Sequence, residues 1–390
     1  MRTPTTMRIR WRGLAAAAVG LLPPMAQADA GDVVNYSLGA TVTRDANLFR
    51  LAPGVDPQTA IGSSDTGDSV TTTTVGVTAD KQIGIQRLKL DMQLSSSRYG
   101  KFRRLDNDGH NLSGNWAWAV GSRVRGDLSA SRKTALSGFD ESASTSRNIN
   151  TTTATGASVN LKLAADWEAF GVLNRNNSVN SAADRQAAAA DSRSVETGIR
   201  YTAPAGHQLS LRQRRARSAL VREDGVNAGA VWVASGLTRL SGDIGRTRRQ
   251  TEGSTAGDSS GATGRLGLDW TLTPKTQLNM SVRQEVSAAA SNFSATNTVR
   301  GASLGASWAP TATTSLQFSL DRSSILYGND PTVAFTGRED RLRNIGLTLS
   351  YRPHRSLNLS LALRDEARDS NLAAFIYRDR LATVSAQFSF

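Results

Sequence analysis

The sequence lacks cysteine altogether, and it contains three histidines and 6% aromatic residues among its 390 residues. The absence of cysteine excludes a disulfide framework and a thiolate metal site. The chain also lacks a phosphate-binding loop, a zinc-ligand spacing and a calcium-binding loop. These absences predict a protein with no catalytic, cofactor-binding or metal-binding residues, and we expect no nucleic-acid partner.

Long apolar runs are confined to the N-terminus, which predicts a cleavable signal peptide over residues 1–30. Its positive segment carries Arg2, Arg8, Arg10 and Arg12. The apolar segment 13–22 is too short to cross a bilayer as a helix, and small residues at Ala28 and Ala30 mark cleavage sites. Cleavage after Ala30 removes four arginines and one aspartate, so the formal charge of +13 falls to about +10.

The mature chain, residues 31–390, has no apolar run long enough for a transmembrane helix. Its composition is rich in Ser, Thr, Asn, Gly and Ala, and its mean hydropathy is negative. These values are typical of a soluble protein, but transmembrane β-barrels share them because only alternate residues of each strand face lipid. The period of the apolar residues therefore has to distinguish the two classes.

Apolar residues recur at alternate positions in stretches of about 9–11 residues, the length of a tilted membrane strand. The segments 87–94 and 357–364 show the pattern clearly, with leucine or methionine at every second position. A helix would place the intervening polar residues around its whole circumference, whereas a strand places them all on one face. The period therefore predicts β-strands along the mature chain.

Short and long connections alternate between these stretches. The short turns are predicted at 80–84, 121–122, 164–166, 202–206, 235–238, 273–275, 310–313 and 352–355. The long polar loops are predicted at 44–69, 101–110, 133–148, 176–191, 248–260, 323–340 and 365–374. We therefore predict an all-β, transmembrane, antiparallel up-and-down barrel of about 18 strands, with 16 as the alternative, both termini periplasmic and long loops extracellular. A secreted all-β sandwich or repeat protein is the competing fold.

Aromatic residues support the same orientation. Those near the short turns are Trp118, Trp167, Tyr201, Trp232, Trp270, Trp308 and Tyr351. Each falls on the apolar phase of its strand, which predicts an aromatic girdle at the periplasmic membrane boundary. The chain ends on Phe388 and Phe390 in an alternating pattern, which resembles the signal read by the outer-membrane assembly machinery. We expect that machinery and outer-membrane lipids of a Gram-negative cell as partners.

Basic residues outnumber acidic ones on the phase opposite the apolar residues. The bases are Arg87, Lys89, Arg123, Arg125, Lys162, Arg200, Arg212, Arg214, Arg239, Arg265, Arg283 and Arg364. The acids are Asp91, Asp127, Glu168, Glu196, Asp243, Asp269 and Asp321. A basic lumen lining concentrates anions. Ladders of Arg with Asp or Glu that brace the barrel wall would give the same pattern, so both interpretations stay open.

Catalysis is not expected. His110 follows Asp106 and Asp108, a combination that resembles the catalytic groups of omptin-type barrel proteases. Proximity in sequence does not hold such groups at hydrogen-bonding distance, however. His207 and His354 fall at predicted short turns, where polar residues are common. We therefore expect a non-enzymatic barrel.

The first strand and the residues after it read YSLGATVTRDANLFRL over residues 36–51. This segment resembles the opening of the EpsL-type outer-membrane proteins that are encoded with exosortase-linked exopolysaccharide clusters, and residues 45–51 carry the specific part of the match. The resemblance implies a porin-like barrel that helps an extracellular polysaccharide leave the cell together with a periplasmic and inner-membrane synthesis complex. It implies no catalytic residues.

The leading functional hypothesis is therefore export of a glycan chain through a polar, basic lumen, with loops such as 44–69 placed to gate it. One alternative is a general or anion-selective diffusion porin. A further alternative is a structural or adhesive barrel that acts through its extracellular loops.

Overall fold

The computed structural model describes residues 33–140, 144–183, 190–218, 221–251, 259–287, 297–327 and 337–390. The signal peptide predicted for residues 1–30 lies outside these ranges. Within them the alternating segments form strands, because their apolar side chains lie on one face and their polar side chains on the other.

Eighteen strands form a single antiparallel sheet in which neighbours in sequence pair with each other. Their bounds are β1 (Val34–Asp45), β2 (Asp68–Ile83), β3 (Gln86–Tyr99), β4 (Asn107–Val120), β5 (Val124–Leu136), β6 (Ile149–Lys162), β7 (Trp167–Asn180), β8 (Ala190–Thr202), β9 (Gln208–Ser218), β10 (Val221–Ser235), β11 (Thr238–Thr251), β12 (Ser259–Thr273), β13 (Thr276–Ser287), β14 (Asn297–Trp308), β15 (Thr314–Tyr327), β16 (Glu339–His354), β17 (Leu357–Ser370) and β18 (Tyr377–Ser389). A five-residue helix, α1 (Pro57–Ile61), lies between β1 and β2.

Pairing of the first strand with the last closes the sheet. β1 and β18 run antiparallel from Ser37 opposite Ser389 to Asp45 opposite Leu381. The backbone groups of Tyr36 and Phe390 exchange hydrogen bonds of 2.7 and 3.0 Å. Closure leaves no sheet edge, so each strand pairs with a neighbour on both sides, as a strand surrounded by lipid requires.

The outer surface of this barrel is an exposed apolar belt. Leu88, Leu90, Met92 and Leu94 of β3 are 40 to 48% exposed, although each is a large hydrophobic residue. The residues between them, including Lys89 and Asp91, lie on the opposite face and point into the lumen. Exposed apolar residues on the outside and polar residues inside are the arrangement of a transmembrane barrel, so the predicted fold and strand number are confirmed.

The strands are longer than the alternation predicted. They span 11 residues in β9 and up to 16 in β2, and β7 and β17 continue into segments predicted as long loops. These extensions carry polar residues on both faces, so they lack the apolar alternation by which strands are recognised. The connections after Ser218 and Ser287, at the same end of the barrel as the long loops, were not predicted.

The buried hydrophobic core lies at the long-loop end of the barrel. Leu48, Phe49, Phe102, Leu105 and Phe139 form it, and they come from the connections that follow β1, β3 and β5. Asp56 caps the N-terminus of α1 through hydrogen bonds to the amides of Gln58 and Thr59. None of the helices in the described residues has the length and apolar character needed to cross a membrane.

Two glycines on the β7–β8 hairpin, Gly198 on the lumenal face and Gly171 on the outer face, provide a test of side-chain packing. A Cβ atom at Gly198 would lie 2.6 Å from both the Leu211 carbonyl oxygen and the Phe170 ring, whereas at Gly171 it would meet only Val159 at 3.5 Å. We therefore expect Gly198→Ala to lower the free energy of unfolding by about 1–3 kcal/mol through overpacking. Gly171→Ala serves as the control and should change it by less than about 0.5 kcal/mol. Equilibrium urea titration in lipid vesicles measures both, and equal effects would contradict the assigned register.

Candidate functional site: the lumen and its mouth

The seven aromatic residues assigned to a girdle all lie at one end of the barrel. Each is within three residues of the strand end that leads into a short turn. Trp167 and Tyr201 are opposite each other on β7 and β8, with ring centroids 5.2 Å apart. Trp232 stacks on His207 at 4.3 Å. These residues form a row at the short-turn end, where a membrane–water boundary would suit their amphipathic rings.

The two terminal phenylalanines lie at the same end of the barrel. Phe388 is 38% exposed on the outer belt. The Phe390 ring lies 5.9 Å from the Tyr36 ring, beside the strand pair that closes the barrel. Their role as an assembly signal stays a prediction.

Eleven of the twelve basic residues assigned to the lumen lie on strands, and Arg123 lies in the turn before β5. The strand residues fall on the face opposite the apolar belt. Arg200, for example, pairs in register with Glu168 and Ser210, and neither belongs to the belt. Arg123 departs from the prediction because the turn after β4 is one residue longer than expected.

Most of these bases contact carboxylates. The ion pairs are Arg87–Asp80, Lys89–Asp91, Arg125–Glu168, Arg200–Glu168, Arg212–Glu196, Arg212–Asp243, Arg214–Glu223, Arg265–Glu285, Arg283–Asp321 and Arg364–Glu366. Across the described residues, Arg123, Lys162 and Arg239 have no carboxylate within 4.0 Å. The lumen therefore combines bracing ladders with bases that lack an acidic partner.

Some of these ion pairs share a carboxylate or an arginine, and the shared contacts link strands that are not neighbours in the sheet. Glu168 on β7 accepts from Arg125 on β5 at 2.7 Å and from Arg200 on β8 at 3.3 Å. Arg212 on β9 contacts both Glu196 on β8 and Asp243 on β11. Such shared contacts fix the long side chains against the wall, because each guanidinium has a defined partner.

A recess in the lumen wall lies among these residues. Its volume is about 250 Å³, and its charged lining consists of Arg200, Arg212, Arg265 and Asp243. The rest of the lining is small or uncharged, including Gly229 and Ser241. Three guanidinium groups line this recess, and each of them also contacts a carboxylate of the wall, of which Asp243 itself faces the recess. We call these three arginines the basic wall.

The wall formed by β3 to β7 differs in chemistry. A groove of about 240 Å³ is lined there by hydroxyl and amide side chains such as Ser113, Asn115, Ser129 and Asn174, with Asp91 as the charged member. A solute in the lumen therefore meets hydrogen-bonding groups on one side and cationic groups on the other.

The segments 46–67, 100–106 and 137–140 lie at the long-loop end of the lumen and contact its wall, and we call them the mouth cap. The Phe49 ring lies 4.9 Å from that of Phe102 and 4.7 Å from that of Phe139, so the three segments meet at one aromatic cluster. Leu105 is fully buried beneath them. The cap is held by hydrophobic contacts, in contrast to the polar lumen below it.

The first turn of the cap is formed by residues 45–51. The Asn47 side chain accepts a hydrogen bond from the Leu51 amide at 2.9 Å and donates one to the Leu51 carbonyl at 3.0 Å. The Asn47 amide donates to Asp379 of β18 at 2.8 Å. Arg50 has a positive φ of 56°, a conformation that non-glycine residues adopt infrequently. These contacts turn the chain inward directly after β1.

Arg50 joins the cap to the barrel wall. Its guanidinium lies 3.0 Å from Asp45, 2.9 Å from Asp379 and 3.4 Å from Glu366. Burial by itself lowers the pKa of Arg50, but Asp45 and Asp379 outweigh that effect, and the pKa is raised above its ordinary value. The guanidinium therefore stays charged in a site where the Asp379 side chain is fully buried.

A second buried cluster lies beside the cap on β15 to β17. Asp340 pairs with Arg338 at 2.6 Å and with Arg368 at 2.9 Å. Arg338 also stacks on the Phe375 ring at 3.5 Å. Arg368 donates to the carbonyl of Asp140, which belongs to the connection after β5. This bond joins the cap to β17, six strands away from β5 around the barrel.

His110, the candidate catalytic histidine, lies on the outer face. His110 pairs in register with Leu94 and Thr134, and Leu94 belongs to the apolar belt. The Asp108 carboxylate forms an ion pair with the Arg98 guanidinium at 2.8 Å. The described residues contain no group of three or more His, Cys, Asp or Glu residues that could hold a metal ion.

The sequence indicated loop 44–69 as a gate, but it did not predict the aromatic cluster that joins this loop to the segments 100–106 and 137–140. It also missed several acidic partners. Glu223, Glu285 and Glu366 sit in strand extensions beyond the apolar alternation, so no pattern identified their face. From the sequence, residues 45–51 indicated only a family resemblance, whereas in the structure Asn47 forms hydrogen bonds with the partly buried Leu51 in an inward turn.

No protein-family model matches the sequence, and no curated protein matches it. Solved structures do match. Pseudomonas aeruginosa OccK2 (OpdF) aligns with a TM-score of 0.54 and 12% identity over 92% of this chain and 98% of that chain. P. aeruginosa OpdK with vanillate aligns with a TM-score of 0.53 and 11% identity over 92% of this chain and 99% of that chain. A BenF-like porin from Pseudomonas fluorescens Pf-5 aligns with a TM-score of 0.52 and 10% identity over 92% of this chain and 98% of that chain. At these identities the likeness establishes a porin-like fold.

Replacement of Arg50 tests whether the cap depends on its ion pairs. Arg50→Ala leaves the carboxylates of Asp45 and Asp379 without this cation in a buried site, which costs about 3–5 kcal/mol. We expect faster thermolysin cleavage within residues 46–67 and a larger single-channel conductance in planar bilayers. Arg103→Ala, at an exposed position of the same cap, is the control. Unchanged cleavage and conductance in Arg50→Ala would show that the aromatic cluster holds the cap without this network.

Proposed function

We propose that this chain is a non-enzymatic diffusion channel of the outer membrane for small anionic solutes. The observation that carries the proposal is the recess lined by the basic wall, Arg200, Arg212 and Arg265, in an otherwise hydrophilic lumen. Fixed guanidinium groups attract carboxylates and phosphates and can bind them through two hydrogen bonds. A cationic lining of this kind raises the local concentration of anions and lowers the barrier to their passage.

The charge balance of the lumen supports the same class of solute. Arg123, Lys162 and Arg239 add positive charge that no described carboxylate within 4.0 Å offsets. The side chains of Arg200 and Arg212 remain 35% and 30% exposed despite their ion pairs, so they stay accessible from the lumen. An anion can therefore replace or bridge the existing contacts.

The structural neighbours provide independent support. One of them was solved with vanillate and another in complex with glucuronate. Both of these compounds are small organic carboxylates. We infer that organic acids of this size are the class to test first on the present barrel.

The mouth cap also favours small solutes. It lies at the mouth of the lumen beside β1 to β5 and is anchored to β17 and β18 by Arg368 and Arg50. A hydrated polymer chain would require these buried contacts to open, whereas a small solute needs only a narrow gap. The cap therefore supports diffusion of small molecules more than it supports passage of a polymer.

Polysaccharide export is the second candidate, and the resemblance at residues 45–51 favours it. These residues build the first turn of the cap, since Asn47 and Arg50 make its hydrogen bonds and ion pairs. The similar motif is compatible with a similar exporting function, in which a periplasmic synthesis complex would supply the glycan. It is equally compatible with a cap that serves another solute.

Neutralising the basic wall tests the channel proposal. In planar bilayers with a KCl gradient, the variant Arg200→Gln/Arg212→Gln/Arg265→Gln should lower the permeability ratio of chloride to potassium at least about threefold, because the fixed positive charge of the recess is lost. The matched variant with lysine at the same positions keeps the charge and should stay close to the original ratio. Anion preference that survives in the glutamine variant would refute the role of the basic wall.

Deletion of the gene separates the two candidate functions. We expect a deletion strain to take up small organic acids, with glucuronate as the probe, more slowly than its parent while its surface polysaccharide is unchanged. Complementation with the intact gene should restore uptake. Loss of surface polysaccharide with normal uptake would instead establish the export function.

A further inference from the structure

Four arginines lie directly opposite one another on the outer face of the barrel. Arg175 of β7 is in register with Arg193 of β8, Arg193 with Arg217 of β9, and Arg217 with Arg222 of β10. Cross-strand partners on one face are close enough to interact, and like charges in that position are destabilising. The sequence thus places four positive charges in one row across four neighbouring strands.

This row faces away from the lumen. Leu173 and Val195, two residues closer to the short turns on the same face, are 53% and 46% exposed in the apolar belt. Arg175 and Arg193 continue the same alternation and are exposed, with side-chain exposures of 53% and 68%. The row therefore lies on the long-loop side of the apolar belt.

Adjacent positions extend the row into a patch. The outer arginine patch consists of Arg175, Arg193, Arg215, Arg217, Arg222, Arg246 and Arg248. On the outward face of the described parts of β7 to β11, its acidic residues are Asp191 and Asp224. Seven positive charges stand against two negative ones, so the patch is strongly basic.

The height of the patch matches the edge of a bilayer. Eight residues separate Trp167 from Arg175 on β7, and eight separate Arg193 from Tyr201 on β8. At about 3.4 Å per residue and a tilt of about 40°, this spacing corresponds to roughly 20 Å along the barrel axis. Apolar bands of such barrels are about 25 Å tall. With the aromatic row at one boundary, the arginine backbones lie about 5 Å inside the other boundary, and the long arginine side chains span that distance to the headgroups.

We propose that the outer arginine patch binds the phosphate groups of lipid headgroups in the leaflet at the long-loop end. Guanidinium groups bind phosphate through paired, charge-assisted hydrogen bonds, and basic surfaces at headgroup level attract anionic lipids. Phosphates bound among the arginine side chains would reduce the repulsion between the positive charges of the row. This proposal rests on the fold and the outward charge, and it does not depend on what passes through the lumen.

The lumenal arginines provide the contrast that supports this assignment. There the sequence supplies carboxylates, as for Arg125 and Arg200, which share Glu168. On the outer face Asp191 is the carboxylate of both Arg175 and Arg193, at 3.0 and 3.9 Å. A single arginine at a membrane boundary is explained by its long side chain reaching water. Seven arginines in one patch instead form a cationic surface that can bind several headgroup phosphates.

The test uses the full barrel, refolded in nonionic detergent micelles and titrated with lipid A that carries two phosphates. Native mass spectrometry measures how much lipid stays bound. Each arginine should contribute about fivefold to the affinity for lipid A. The variant Arg193→Gln/Arg217→Gln/Arg222→Gln should therefore bind lipid A on the order of 100-fold more weakly. The lumen variant Arg200→Gln/Arg212→Gln/Arg265→Gln loses the same charge and should bind within about twofold of the original protein. Lysine at positions 193, 217 and 222 should retain most of the affinity.

The phosphate and lipid parts of the ligand are tested separately. Lipid A with one phosphate should bind more weakly, and phosphatidylcholine should not compete. The proposal would be overturned if the outer glutamine variant bound lipid A as tightly as the original protein. It would also be overturned if the lumen variant lost as much affinity as the outer variant. Complete displacement of lipid A by inorganic phosphate at equal concentration would also overturn it, because the patch would then be a site for free anions. Heat-modifiable migration on gels shows that each variant is folded, and the single variant Arg193→Gln provides a milder change if the triple variant does not refold.

Discussion

The absence of water in the membrane is the constraint on which the rest of this structure depends. Every backbone amide and carbonyl within the bilayer needs a partner in the protein, and a closed sheet supplies one for each strand. Closure through β1 and β18 then divides the side chains between two faces with no intermediate position. One face becomes the apolar belt, and the other becomes a lumen that must be filled with polar side chains, water or solute.

Arginine has three different environments in this barrel, and each gives it a different role. In the lumen, Arg200 and Arg212 are partly paired and partly exposed, which suits contact with a passing anion. In the mouth cap, Arg50 is mostly buried among carboxylates and holds a turn against the wall. On the outer face, Arg193 is exposed beside other arginines at the level of lipid headgroups. The high net charge is therefore not a uniform property of the surface.

The mouth cap changes how the family resemblance is interpreted. The residues that carry it, including Asn47, Phe49 and Arg50, serve to turn the chain inward and to anchor a packed cluster. A sequence motif with this structural task can persist in barrels that transport different molecules. We propose that the wall of the lumen decides which solutes pass, and the basic recess there supports the porin interpretation.

The sequence by itself determined the strands, the short turns, the aromatic row and the face on which each regularly alternating residue lies, because a period of two is a local property of the chain. It did not determine the partners of Arg125 or Arg212, the acids in the strand extensions, or the opposition of Arg175, Arg193, Arg217 and Arg222. Those contacts depend on the register between strands and on closure of the barrel. The mouth cap likewise joins β1 to β17 and β18, which are distant along the chain and become neighbours only when the sheet closes.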